Sequence, residues 1–179
     1  DEWGVWAVPS NTVNAEIDQK PWGIAPAISE QIYTLEDALL FAGMQMVILR
    51  NADVIKIACQ SLLTNISACI MTEKSGGYWL QTIYYPFHYF ATYAKGTVLK
   101  TASTGPCYSC AEFDEVPYVD SLVVWNEEDQ ELVIFAVNRS EEELQKAEVD
   151  LQDFEIQHVI ESICMTAENK KMTNMEQHD

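Results

Sequence analysis

The texture of the sequence changes near Lys95–Thr97, and that change constrains the fold more than any single motif. Upstream, helix-forming segments alternate with short apolar runs, as in an α/β repeat. Downstream, Thr97–Ala102, Val119–Trp125 and Glu131–Val137 are β-rich, and the last two flank the acidic turn Asn126–Gln130. Leu144–Leu151 carries a hint of period two, and Gln157–Met165 is another apolar run. Repeated short strands with polar turns predict an antiparallel β-sandwich over residues 97–179, with a polar, frayed end from residue 167.

Within residues 1–96, Thr34 followed three residues later by Asp37 has the form of a capping box. It opens a predicted helix, Leu35–Asn51, rich in good helix formers. That helix runs into Val54-Ile55-Lys56-Ile57-Ala58, which reads as a buried parallel strand. Ser75-Gly76-Gly77 marks a turn, and a second helical pattern runs from about Tyr78 to Ala94, interrupted by Pro86 and ended by Gly96. Residues 7–28, with Pro9, Pro21, Pro26 and Trp22, form a long loop of the kind that walls a cleft. The fold class is therefore α/β followed by all-β.

The motif with chemistry in it is Asp1-Glu2-Trp3-Gly4-Val5-Trp6. A carboxylate beside two tryptophans suits a sugar-cleaving site: the glutamate can serve as nucleophile and an indole face can pack on a sugar ring. The bland reading is a surface carboxylate next to a core aromatic. In a (β/α)8 barrel the catalytic groups sit at the C-terminal ends of strands, and Glu2, just before a long loop, fits that rule. The chain opens inside this motif without a Met, so it is expected to be part of a longer protein. A signal peptide is left open for the same reason.

Composition narrows the partners. With 48% hydrophobic residues and five Trp, the chain can build a core and is not a disordered tail. Its net charge is −18, and 19 of the 28 acidic residues but only four of the ten basic ones lie in 111–179. Such a field repels phosphate backbones and anionic lipid, which argues against nucleic-acid and membrane-surface roles, while a neutral sugar is unaffected. No apolar stretch approaches the length of a membrane span. Five cysteines do not make a disulfide framework; Cys59, Cys69 and Cys164 lie in apolar runs and are expected to be buried thiols. Cys107-Tyr108-Ser109-Cys110 has zinc or redox spacing, but without a second pair or a nearby His motif it reads as a loop with two incidental thiols. No metal is assigned, calcium at Asp114 and Glu115 included. Asn138-Arg139-Ser140 is read as an incidental sequon, Glu141–Glu143 as a solvated turn, and the aromatics Tyr84, Tyr85, Phe87, Tyr89 and Phe90 as core of a helix packed between barrel and sandwich.

The blocks Asp1-Glu2-Trp3-x-Val5-Trp6, Leu35–Leu40, Ala52–Ala58, Ile70-Met71-Thr72, Gln81–Phe87, Val116–Asp120 and Phe135–Arg139, in that order, resemble the C-terminal half of family 51 α-L-arabinofuranosidases. The resemblance covers about residues 1–154. It implies the C-terminal part of a (β/α)8 barrel over residues 1–96 and a jelly-roll-like β-sandwich over 97–179. It further implies a retaining, cytoplasmic glycosidase acting on arabinose-containing oligo- or polysaccharides, with a homo-oligomeric full-length protein. No cofactor is implied, because glycosyl transfer to water needs only two carboxyls. By motif position Glu2 corresponds to the nucleophile and Trp6 to a tryptophan lining the sugar pocket, with core filler as the alternative for Trp6. The family's Asn after the first Trp is Gly4 here, and its substrate-binding Gln falls on Leu62. Either Gln60 replaces that Gln through a local shift or the contact is missing and Gln60 is a strand-end amide. The family's acid/base Glu belongs to its N-terminal half, so this chain alone is expected to be inactive. Two other readings stay open: a non-catalytic carbohydrate-binding or assembly β-sandwich, and an endo-β-glucanase of the same family.

Overall fold

The computed structural model describes residues 2–6, 24, 30–73, 76–152 and 154–175. Most of the long 7–28 loop, with its three prolines and Trp22, lies outside the described residues, as does Ser75 of the predicted turn.

The elements are β1 (Glu2–Trp3), α1 (Leu35–Arg50), β2 (Cys59–Gln60), β3 (Ile70–Thr72), β4 (Tyr78–Leu80), α2 (Tyr84–Tyr93), β5 (Thr97–Val98), β6 (Cys107–Tyr108), β7 (Val116–Pro117), β8 (Val119–Asn126) and β9 (Glu131–Asn138). β1 pairs with β2 in parallel, β3 with β4 antiparallel, and β6 with β7 antiparallel. β5, β8 and β9 form a three-stranded antiparallel sheet in that order. The described residues thus form a sheet-rich unit with few helices. Among the described residues no helix is long and apolar enough to cross a membrane.

Helix α1 begins where the capping box places it. Thr34 Oγ1 accepts from the Asp37 N–H at 3.4 Å, and Asp37 Oδ2 accepts from the Thr34 N–H at 2.8 Å. The first helical turn has four N–H groups without intrahelical partners. Here the cap satisfies one, and the carbonyls of Met172 and Lys170 accept from Leu35 and Glu36, each at 2.9 Å. The C-terminal segment is therefore docked as far as Asn174, where fraying was expected from residue 167; residues 176–179 lie outside the described residues. Asn174 Nδ2 donates to Leu80 O, and Lys170 and Lys171 form ion pairs with Glu36. Main-chain partners on a distant helix end are invisible in a polar local sequence.

The second predicted helix is two elements. Tyr78–Leu80 is strand β4, with Trp79 buried between more exposed neighbours, and Gln81 extends the ladder by donating its N–H to Cys69 O. Helix α2 starts at Tyr84, so Pro86 stands in its first turn, where a missing N–H costs nothing, and does not interrupt it. Gly96 follows at φ +117, and a Cβ there would lie 2.1 Å from the Trp125 carbonyl of β8.

Two cores hold these parts together. One gathers Val5, Tyr33, Ala38, Phe41, Cys69 and Ile83, with Trp3, Phe87 and Met165 packed against it. The other joins Met46 of α1 and Phe90 of α2 to Leu122, Val124 and Val137 of the sheet. The aromatic helix α2 thus feeds both, Phe87 into the first and Phe90, stacked on Phe135 at 4.1 Å, into the second.

Other expectations fail for one shared reason. Val54–Ala58 is not a buried strand: it leaves α1 through a turn, and Val54 and Ile57 are each 73% exposed. Only Cys59 and Gln60 pair, with β1. An apolar run reads as buried from sequence, but burial needs neighbours that the described residues do not supply. Leu144–Leu151 and Gln157–Met165 likewise form no strand among the described residues, and Val159 and Ile160 are exposed, so the described part of 97–179 holds the three-stranded sheet and the β6–β7 pair. Cys69 is buried as expected, whereas Cys59 and Cys164 are exposed.

Candidate active site

Glu2 lies on β1, opposite Cys59 of β2, and Trp3 lies opposite Gln60. Parallel pairing brings the end of β2 and the loop after it against the acidic motif. The carboxylate of Glu2 is exposed on the described surface, and its Oε1 accepts a hydrogen bond from Ser61 Oγ at 2.7 Å. Ser61 is buried, and its backbone N–H donates to Trp3 O at 2.7 Å.

The loop after β2 is unusually constrained. Leu62, Asn65 and Ile66 all have positive φ, near 60°, which costs an L-residue energy and is worst for a β-branched side chain such as Ile66. Surrounding hydrogen bonds hold it there. Asn65 Oδ1 accepts from the Thr72 N–H at 2.8 Å, the Asn65 N–H donates to Ile70 O, and the Gln31 N–H donates to Ile66 O. Gln60 belongs to this scaffold. Its Nε2 donates to Ser61 O at 2.8 Å and Ser67 O at 3.2 Å, while its Oε1 accepts from the Cys69 thiol at 3.5 Å. These are the contacts of a strand-end amide, and the geometry gives Gln60 a place behind the loop.

Trp3 turns inward, its ring centroid 4.6 Å from that of Phe41. Trp6 turns outward and is 54% exposed. Its six-membered ring lies over Gly4: a Cβ at Gly4 would meet Trp6 Cζ2 at 3.2 Å and Cη2 at 3.3 Å. The glycine that departs from the family motif therefore seats the indole close to the backbone, one residue of chain away from the strand bearing Glu2. The strand end is fixed from below by Tyr33, whose hydroxyl donates to Val5 O at 2.6 Å. Burial pushes the Tyr33 phenol up to about 12, so it remains a neutral donor through the ordinary pH range. Gln81 completes this support: its Oε1 accepts from the Tyr33 N–H, and its Nε2 donates to Gln31 O and Ala68 O.

A family model described as the α-L-arabinofuranosidase C-terminal domain matches residues 1–179. The chain belongs to that family. An intracellular exo-α-(1→5)-L-arabinofuranosidase of Halalkalibacterium halodurans is 44% identical over 174 residues, covering 97% of this chain and 34% of that protein. A Bacillus subtilis protein of the same name, numbered 1, is 42% identical over the same shares. A solved family 51 α-L-arabinofuranosidase from Bifidobacterium longum superposes with a TM-score of 0.67 at 32% identity, over 79% of this chain and 28% of that one. An arabinose complex of the Thermotoga maritima enzyme gives 0.59 at 22% identity, a likeness of fold. The chain spans about a third of the length of the curated relatives it matches.

Within this α-L-arabinofuranosidase domain, Glu2 and Trp6 sit on one strand end and Gln60 directly beside it. Ser61, Tyr33 and Gln81 escaped the sequence reading. Their roles depend on strand register and loop conformation, which no local motif encodes; adjacency to Gln60 was the one available pointer to Ser61. Cys107 lies in β6 and Cys110 in the turn after it, both free and exposed. Among the described residues no group of three or more His, Cys, Asp or Glu is arranged to hold a metal.

Proposed function

We propose that this chain contributes the nucleophile of a retaining α-L-arabinofuranosidase that releases non-reducing-end α-L-arabinofuranosyl residues from arabinan or arabinoxylan. The observation that carries this reading is an exposed carboxylate, Glu2, at the end of a strand in parallel pairing, with one oxygen held by Ser61 and an exposed indole, Trp6, four residues on. Relatives named exo-α-(1→5)-L-arabinofuranosidases support the substrate class. In this mechanism Glu2 attacks the anomeric carbon, the glycosidic C–O bond breaks, and a second carboxylic acid protonates the leaving oxygen. The same acid then takes a proton from water, which displaces Glu2 and frees arabinose. The two carboxyls must stand roughly 5 Å apart. We assign the second to the part of the relatives' length that this chain does not span. Residues 1–96 would then complete a (β/α)8 barrel, and residues 97–179 a jelly-roll-like sandwich. Trp6 is the sugar platform, whereas Gln60 supports the loop. By the names of the relatives, the enzyme works inside the cell.

A mechanism-based arabinofuranosyl inactivator tests the proposal in the full-length protein. Peptide mapping should find the adduct on Glu2, and Glu2→Gln should abolish both labelling and turnover. A Glu2→Ala protein with normal turnover rejects the assignment. Turnover of a β-glucan in place of an α-L-arabinofuranoside would move the protein to the endo-acting branch, and sugar binding without any turnover would make it a binding module.

A further inference from the structure

We infer that Ser61 is a positioning residue for Glu2: it holds Oε1 of the carboxylate and leaves Oε2 free for the bond to the sugar. This rests on the reading of Glu2 as nucleophile and adds a residue that the acidic motif does not contain.

The argument begins with what fixes Ser61 itself. All its polar groups are engaged: the N–H donates to Trp3 O at 2.7 Å, the C=O accepts from Gln60 Nε2 at 2.8 Å, and Oγ donates to Glu2 Oε1 at 2.7 Å. Its side chain is buried, so the hydroxyl has no competing solvent to turn towards. Immediately after it the chain enters the left-handed region at Leu62 and returns to it at Asn65 and Ile66. Backbone strain at these three residues persists only where the surroundings impose it, and the same loop carries a serine aimed at the carboxylate. The side chain of Leu62 carries no donor and is 45% exposed, so in this loop the hydrogen bond to Glu2 falls to residue 61.

Glu2 needs such a hold. It stands on a two-residue strand and is exposed, so its carboxylate is otherwise free to rotate among staggered positions. A single donor on one oxygen selects a rotamer, and the lone pairs of the other oxygen stay available for attack. During glycosylation Oε2 bonds to the anomeric carbon, the leaving oxygen departs with the proton of the second acid, and Oε1 becomes the ester carbonyl oxygen. Ser61 keeps its proton throughout and continues to donate to Oε1. The hydroxyl thus acts on orientation in both the free enzyme and the covalent intermediate.

The test uses the full-length protein with Ser61→Ala, Ser61→Thr and Glu2→Ala. Ser61→Ala should lower kcat on an arabinofuranoside about ten- to a hundredfold, the range for a hydrogen bond to a charged group, with KM nearly unchanged. The rate of labelling at saturating inactivator should fall by the same factor, and Ser61→Thr, which keeps the hydroxyl, should recover most of both. Wild-type turnover in Ser61→Ala overturns the inference. So does an equal loss in Ala and Thr variants with a lowered melting temperature, or an unfolded Ser61→Ala protein, since each makes the serine a structural residue only. Failure of the nucleophile reading is distinct: there Glu2→Ala itself remains active.

Discussion

Gln81 carries more of the site's support than its distance from Glu2 suggests. It is fully buried, and its carboxamide makes three hydrogen bonds, to the Tyr33 N–H and to the carbonyls of Gln31 and Ala68. Gln81→Leu keeps the volume but strands a donor and two acceptors in the interior. At roughly 1–3 kcal/mol for each buried group left without a partner, the loss should reach several kcal/mol, read from urea denaturation. Tyr33 and Cys69 add a pH dependence. Burial raises Tyr33 from 10.0 to about 12 and Cys69 from 9.0 to about 12. Both folded values lie above the unfolded ones, so the native state holds these protons more tightly. The stability they contribute is complete below about pH 9 and is lost as pH rises towards 12. The urea midpoint should therefore fall across that window, and Cys69→Ala should flatten the part of the fall that begins near pH 9. An unchanged slope in that variant would show that other groups set the alkaline limit.

At the scale of elements, junctions test the physics best. Thr34→Ala removes the acceptor for the Asp37 N–H and should cost about 1 kcal/mol, the usual loss on removing an N-cap. Gly96→Ala should cost more, roughly 2–5 kcal/mol or failure to fold, since φ +117 and a carbonyl 2.1 Å from the new Cβ both resist it. Melting temperatures of the two variants should rank in that order. The same junctions divide what was legible in the sequence from what was not. The capping box, the Gly96 stop and the β8–β9 hairpin were readable because their determinants lie within a few residues of one another. Pro86 misled because its effect depends on helix position, and Tyr78–Leu80 because its pairing with β3 is set by register. Val54–Ala58 misled because its burial depends on what packs beside it, and the dependence of Ser61 on β1 was hidden for the same reason.

For the molecule as a whole, the question is what keeps an acidic C-terminal third, most of it without helix or strand, against the rest. Beyond β9 few residues are regular, yet residues 169–175 close back on the start of α1. Two kinds of force act there. Lys170 pairs with Glu36 and Glu141, and Lys171 with Glu36; these pairs are largely solvated and screened, so each contributes little. The carbonyls of Lys170 and Met172, in contrast, accept from the first two N–H groups of α1, and Asn174 donates to Leu80 O. Three such bonds, at about 1 kcal/mol each, outweigh the ion pairs. Removal of residues 167–179 should therefore destabilise the protein by about 3 kcal/mol, whereas Lys170→Ala with Lys171→Ala should cost far less and lose its effect in high salt. Denaturation of both variants at low and high ionic strength separates the two contributions. If the double lysine variant proved as unstable as the truncation, charge rather than main-chain hydrogen bonding would be what anchors this end of the chain to α1.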